Sequence, residues 1–211
     1  MPDLDFRVEH AETLPFAAAP CLLFRLRIAN AGGEPVRSIM LNTQIRIAPN
    51  ERHYAAGEQA RLAELFGEAA RWGETLKSLL WANTTLLVPP FSGAAQVDLP
   101  VPCTYDFEVV SAKYFAALEG GEVPLEFLFS GTVFYAGAGG LRVEQIPWEK
   151  EARYELPVAV WQETMERYFP NSAWLRMRKE TFERLYRYRA RQSLPTWDDV
   201  LERLLRAGGE D

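Results

Sequence analysis

The apolar residues of this chain change period at Pro157. Before it they recur at every second position through most segments, and after it at every third or fourth. A period of two belongs to a half-buried strand and a period near 3.6 to an amphipathic helix. Strands first and helices last point to an antiparallel α+β protein. Short turns about every 8–15 residues favour a β-sandwich. The expected architecture is about eight strands, with a helical insertion over about 57–81 and a three-helix C-terminal tail. The expected domains are 1–156, the sandwich, and 157–211, a helical subdomain packed on it. A chain of 211 residues buries roughly 70% of its unfolded surface, so such a core needs no disulfide or metal.

Leu4, Phe6, Val8 and His10 share one side of a strand over 4–13. Leu22, Phe24, Leu26 and Ile28 do so over 21–29, and Ile39, Leu41, Thr43, Ile45 and Ile47 over 36–47. Gly32, Gly33 and Pro35 form a turn between these two strands, which predicts a hairpin. Further strands are expected at 82–89, 95–101, 104–115, 123–135 and 141–156. Pro100 marks an edge or a strand end. The 123–135 segment is apolar on both sides, as a central covered strand is.

Leu62, Leu65 and Phe66 have helical spacing, and Gly67 stands where a helix terminates. Trp72, Leu76, Leu79 and Leu80 continue that period. After Pro157, Val158, Trp161, Met165 and Tyr168 form one stripe, and residues 174–191 form a second helix. Thr196 caps a third through Asp199, with Trp197, Val200, Leu201, Leu204 and Leu205 on one face.

The net charge of −6 is unevenly spread. Residues 1–173 carry 14 basic and 22 acidic side chains, and residues 192–211 carry two and five. Residues 174–191 carry seven basic side chains against two acidic. Arg176, Glu180, Arg184, Arg187 and Arg191 fall on one face of that helix. A basic helix of this kind docks an acidic partner or a phosphate-bearing ligand. Pairing with the chain's own acidic body explains it as readily. Tyr186 and Tyr188 interleave with the arginines, but the overall sign is wrong for a nucleic-acid footprint.

Catalytic patterns are sparse. There is no phosphate loop and no Gly-x-Ser-x-Gly elbow, and Ser130 reads as a strand residue. The two histidines, His10 and His53, exclude a histidine-rich metal site. Cys21 and Cys103 read as reduced, buried thiols; a Cys21–His10 dyad on neighbouring strands is possible, but chance proximity explains it as well. Asp106 and Glu108, two apart on one side of a strand, could share a proton or a hard cation. A solvated strand face is the ordinary explanation. No apolar run reaches the about 20 residues of a membrane-spanning helix. The acidic start, with Asp3, Asp5, Glu9 and Glu12, is unlike a secretory leader, so a cytoplasmic protein is expected. Six tryptophans are present. Trp72 and Trp81, with Phe66 and Phe91, become partner contacts if the 50–92 segment leaves them exposed.

Several stretches together carry a resemblance: LLFRLRI from Leu22, ELFGEAARWGETLKSLLW from Glu64, DLPVPCTYDFEV from Asp98, FSGTVF from Phe129, PVAVWQETMERYFPNSAW from Pro157 and LPTWDD from Leu194. They resemble an uncharacterised bacterial protein family of unknown function whose genes occur near nickel–iron uptake-hydrogenase operons. The resemblance implies an accessory role in hydrogenase assembly, maturation or regulation, and carries over no catalytic or ligand residue. Few cysteines and histidines argue against a metal-handling step.

The expected function is therefore a non-catalytic interaction protein with a protein partner and no cofactor, metal or nucleic acid. Its expected contacts are Arg176, Arg184, Arg187, Arg191, Trp72 and Trp81. A small-ligand or carbohydrate-binding sandwich is the alternative. An enzyme using the carboxylates near Asp106 and Glu108 is the third reading.

Overall fold

The computed structural model describes residues 2–104, 106, 109–137, 139–172 and 174–209. Two compact units divide the chain, Met1–Trp174 and Leu175–Asp211. The change of period at Pro157 begins a helix that belongs to the first unit.

That unit is built on two antiparallel sheets. One has the order β1-β2-β5, from Leu4–Thr13, Cys21–Asn30 and Ala94–Pro102. The other contains β3 (Val36–Ile47), β4 (Leu79–Val88), β6 (Glu122–Gly137), β7 (Gly140–Gln145) and β8 (Glu151–Pro157). Its order is β4-β3-β6-β7, and β8 pairs with the first half of β6. The α+β sandwich expected from the strand-then-helix order is present. β5, with Pro100 and Pro102, is an edge strand, and β6 is central with Leu125, Phe127, Phe129 and Val133 buried. Its other side is only half-buried at Leu128 and Phe134.

Several local expectations are corrected. β2 and β3 are not a hairpin, since each belongs to a different sheet. Asn30 organises the crossing: its side-chain oxygen accepts from the N–H groups of Asp3 and Gly32, and its amide donates to the Glu34 carbonyl. Alternation fixes which side of a strand faces the core. It does not say whether the next strand lies beside it or across from it. In β1 the register shifts between Val8 and His10, so Ala11 is buried and His10 exposed. One extra residue in a strand has this effect. The described residues of the expected 104–115 strand do not form one; Val110–Ala116 is α3, with Ser111, Tyr114 and Phe115 buried at i, i+3 and i+4 and Leu118 one turn on. The expected 141–156 strand is two strands, β7 and β8. Leu79 and Leu80 begin β4, where Leu79 pairs with Ile47.

The helical insertion consists of α1 (Ala56–Phe66) and the single turn α2 (Trp72–Thr75). Gly67 ends α1 with φ +73°, a left-handed value that favours glycine, and its N–H bonds the Ala63 carbonyl. The Trp72 indole N–H donates to the Gly67 carbonyl.

The core runs between the sheets and under the helices. Phe6 stacks on Phe129 at 4.3 Å between ring centres, and Phe24 meets Phe127 edge-on at 5.2 Å. α4 (Val158–Tyr168) packs against β1, β2 and β8, burying Val158, Trp161 and Met165. Phe115 stacks on Trp161 at 5.2 Å, so α3 and α4 share an aromatic contact. The Tyr168 hydroxyl donates to the Leu14 carbonyl and accepts from the Ala17 N–H, tethering α4 to the β1–β2 loop. Gly131 sits opposite Leu41 with φ +132°, and a Cβ there would lie 1.9 Å from the Met40 carbonyl oxygen. Only glycine lets β6 approach β3 this closely.

The second unit contains α5 (Lys179–Arg191) and α6 (Trp197–Gly208). Arg176 precedes α5 rather than lying on it. The Thr196 hydroxyl accepts from the Asp199 N–H at 3.1 Å, and the Asp199 carboxylate accepts the Thr196 N–H at 3.0 Å. This reciprocal cap is the one the sequence announces. No helix among the described residues is long and apolar enough to cross a membrane.

Candidate functional site

The row of arginines divides into two roles inside the second unit. Phe182, Tyr186 and Arg189 lie at i, i+4 and i+7, so they share one face of α5. Phe182 and Tyr186 meet the Trp197 ring at 5.3 and 6.4 Å between centres. The Arg189 guanidinium lies 5.0 Å from the same ring and donates to the Leu194 and Pro195 carbonyls. Arg189 therefore closes the α5–α6 turn, combining a cation–π contact with two hydrogen bonds.

Arg184, Arg187 and Arg191 point elsewhere. All three are exposed, and among the described residues none makes an ion pair or a side-chain hydrogen bond. Three acids of this unit are engaged otherwise. Glu183 pairs with Lys179, Glu202 with Arg206, and Asp199 with the α6 cap. Glu180, one turn before Arg184, forms no ion pair with it among the described residues. The three arginines edge a groove of about 850 Å³ between α5 and α6, floored by Leu185, Tyr188 and Leu204. Leu201 and Leu205 on α6 are also exposed, Leu205 at 55%. Three unpaired guanidinium groups beside an apolar floor favour an anionic, partly apolar occupant.

Trp72 and Trp81 are placed differently. Trp72 is buried between Tyr54 at 5.2 Å and Phe66 at 6.0 Å, measured between ring centres. Trp81 is half-buried against Phe115 at 5.0 Å and Phe24 at 6.1 Å. Phe66 is buried and Phe91 half-buried. Trp72 and Phe66 hold the insertion on the core, whereas Trp81 lies on β4 and Phe91 follows that strand.

Beneath the insertion lies a cluster of titratable groups. Glu58 accepts from Arg52 at 2.8 Å, from the Glu119 N–H at 2.9 Å and from the Ala55 N–H at 3.0 Å. Arg52 also donates to the Glu122 and Gly120 carbonyls, both at 2.6 Å. Burial alone would raise the Glu58 pKa; the two backbone N–H groups and the Arg52 charge outweigh it and hold the carboxyl below its ordinary value. The Tyr54 and Tyr114 hydroxyls meet at 2.8 Å, and Tyr54 donates to the Pro49 carbonyl. Burial pushes the Tyr114 phenol far above its usual range. The carboxylate is ringed by donors and both phenols stay neutral, so the cluster fastens the insertion to the α3–β6 turn.

The remaining candidates do not come together. Asp106 lies in an isolated bridge with Trp174 ahead of α3, not on a strand, and Glu108 lies outside the described residues. His10 pairs with Arg25, and is exposed, while Cys21 and Cys103 are buried free thiols. Among the described residues, no group of three or more His, Cys, Asp or Glu side chains is placed to hold a metal.

Two surfaces escaped the sequence reading. Trp148, in the turn between β7 and β8, is 90% exposed. Met40 and Leu87 face each other across β3 and β4 on the outer side of their sheet, and Leu141 and Val143 are exposed on β7. The signal was present for Met40 and Leu87, which fall out of phase with the buried stripe of their strands.

An α+β sandwich followed by a short two-helix unit, with three exposed arginines of α5 that form no ion pair among the described residues, is the class of molecule defined by this geometry. The whole chain, residues 1–211, matches the model of a family of unknown function, DUF6084, and belongs to that family. No curated protein is significantly similar to it. Among solved structures it is similar to the CARDB domain of the PF1109 protein of Pyrococcus furiosus, in complex with di-metal ions, at 11% identity and a TM-score of 0.28, over 74% of this chain and 86% of that one. It is also similar to the putative ApaA protein of Bordetella pertussis, at 14% identity and a TM-score of 0.27, over 74% of this chain and 93% of that one. A third likeness is to the β-glucosidase of Kluyveromyces marxianus, at 10% identity and a TM-score of 0.26, over 73% of this chain and 15% of that one. Likenesses this loose carry no argument about function.

Proposed function

We propose that this chain is a cytoplasmic, non-catalytic interaction protein that supports the assembly, maturation or regulation of a nickel–iron hydrogenase. The observation that carries the interaction reading is the exposed row Arg184, Arg187 and Arg191 beside the apolar floor of the α5–α6 groove. Guanidinium groups left without partners retain their full capacity for carboxylates or phosphates. Arg176, ahead of α5, adds positive charge to the same unit. The hydrogenase setting rests on the sequence resemblance alone. The role is one of contact: the buried Arg52–Glu58 cluster serves the fold, and the thiols are sealed in the core.

The test is a tagged pull-down of the full chain from cells expressing the hydrogenase operon, paired with hydrogenase assays of a deletion strain. The expected result is recovery of a hydrogenase subunit or maturation factor, with reduced hydrogenase activity in the deletion strain. No such protein recovered, with activity unchanged, overturns the reading.

A further inference from the structure

We infer that the α5–α6 groove is a docking site for an amphipathic helix bearing a row of carboxylates, supplied by a protein partner. The inference rests on the interaction reading above and adds to it the shape and charge of the partner.

The arginines are spaced i, i+3 and i+7, so the row spans about 10 Å along α5 at 1.5 Å per residue. Carboxylates on a neighbouring helix match that row when they too are spaced by three and four residues. The groove floor is apolar, formed by Leu185, Tyr188 and Leu204. Its occupant therefore needs an apolar stripe beside its acids, the pattern of a helix laid in a groove. An extended acidic strand alternates its side chains across two faces. It would turn half of them from the arginines or from the floor.

Charge and geometry agree within the unit itself. Arg189 is taken up by Trp197 and two carbonyls, whereas Arg184, Arg187 and Arg191 have no partners among the described residues. Among the described residues no acid of the unit forms an ion pair with them, and Glu183 and Glu202 pair with Lys179 and Arg206. The groove opens beside these three cations and not on the Arg189 face.

The probe is a blocked, dye-labelled synthetic peptide of about four helical turns, with leucines on one stripe and glutamates at i, i+3 and i+7 beside it. The full chain is titrated against it by fluorescence anisotropy. A composition-matched scramble and inorganic polyphosphate serve as comparisons. The patterned peptide is expected to bind at least about ten times more tightly than the scramble, and more weakly as salt rises. Arg184→Glu with Arg187→Glu is expected to weaken binding by about tenfold or more, and Leu204→Ala to weaken it with the arginines intact. Circular dichroism checks that each variant keeps its helices. Arg184→Gln with Arg187→Gln, a milder change, replaces the charge reversal if that variant loses helicity. Equal binding of scramble and patterned peptide overturns the inference, as does undiminished binding by the folded arginine variants. Polyphosphate binding that displaces the peptide and ignores Leu204→Ala also overturns it. If the peptide binds but no hydrogenase protein is recovered from cells, the groove stands and the hydrogenase role falls. If a hydrogenase protein is recovered equally by the arginine variant, the role stands and the groove falls.

Discussion

The Arg52 guanidinium donates to the Glu58 carboxylate across 2.8 Å, with the two side chains only 9% and 4% exposed. They lie six positions apart in sequence, and between them the chain turns into α1. Through Gly120, Glu122 and the Glu119 N–H, the pair also grips the turn that opens β6. Removing one partner would strand the other charge away from water. Arg52→Ala and Glu58→Gln are each expected to cost about 3–5 kcal/mol, the range for a broken buried pair. Urea unfolding followed by circular dichroism measures this. Unchanged midpoints would show that the cluster is dispensable.

The same pair sets a pH dependence. The Glu58 carboxyl lies below its ordinary value in the folded chain. Its contribution is full above the ordinary carboxylate pKa and is lost as pH falls through the depressed folded value. Acid melts should therefore show wild-type stability falling more than that of Glu58→Gln over that acidic window. A parallel fall in both proteins would contradict the assignment.

Gly131→Ala tests the approach of β6 to β3. The added carbon would stand 1.9 Å from the Met40 carbonyl oxygen, in a backbone conformation with φ +132° that alanine avoids. A loss of at least about 4 kcal/mol is expected, beyond the ordinary range for a single substitution. Thermal melts of the purified variant measure it, and a near-normal melting temperature would refute the close contact.

Cys21 and Cys103 should be silent in the folded chain. Burial raises both, and pushes the Cys103 thiol up to about 12. Thiolate is the reactive form, so at neutral to mildly alkaline pH Ellman's reagent should titrate no thiol before denaturation and both after it. Rapid labelling of the native protein would show that the core opens there.

The two kinds of arginine on α5 should separate by hydrogen exchange. Arg189→Ala removes the stacking on Trp197 and two hydrogen bonds from the turn, and is expected to cost the second unit about 1–2 kcal/mol. Amides of α6 should then exchange faster. Arg184→Ala should leave them unchanged, since it has no such contacts among the described residues. Equal effects would mean that the division of roles is wrong.

Much of this was legible in the sequence, and the omissions have physical causes. The stripes of β2, β3 and β6 correctly marked the buried sides, because a half-buried strand exposes its alternation directly. The cap at Thr196 was equally plain, as it is local chemistry. The partners of the strands were not, since β2 and β3 present their stripes to one core from opposite sheets. The alternation places His10 inward because a bulge leaves no mark in an alternating pattern. α3 was missed because its short run, Ser111 to Phe115, holds too few turns to declare a period. For the candidate site, the sequence placed positive charge on α5 but could not distinguish Arg189 from Arg184, Arg187 and Arg191. That distinction depends on Trp197 and on carbonyls beyond the helix end.

The strand order has a consequence for synthesis. The sheet β1-β2-β5 has all its strands once residue 102 has been made, but β3 must wait for β6, whose pairing residues lie some 90 positions later. Until then β3 has only β4 to pair with, and the backbone edge that β6 later covers stays unpaired. Long-range pairing of this kind is slow and prone to association. The chain can complete its second sheet only after β6, β7 and β8 have been made, near the end of the sandwich.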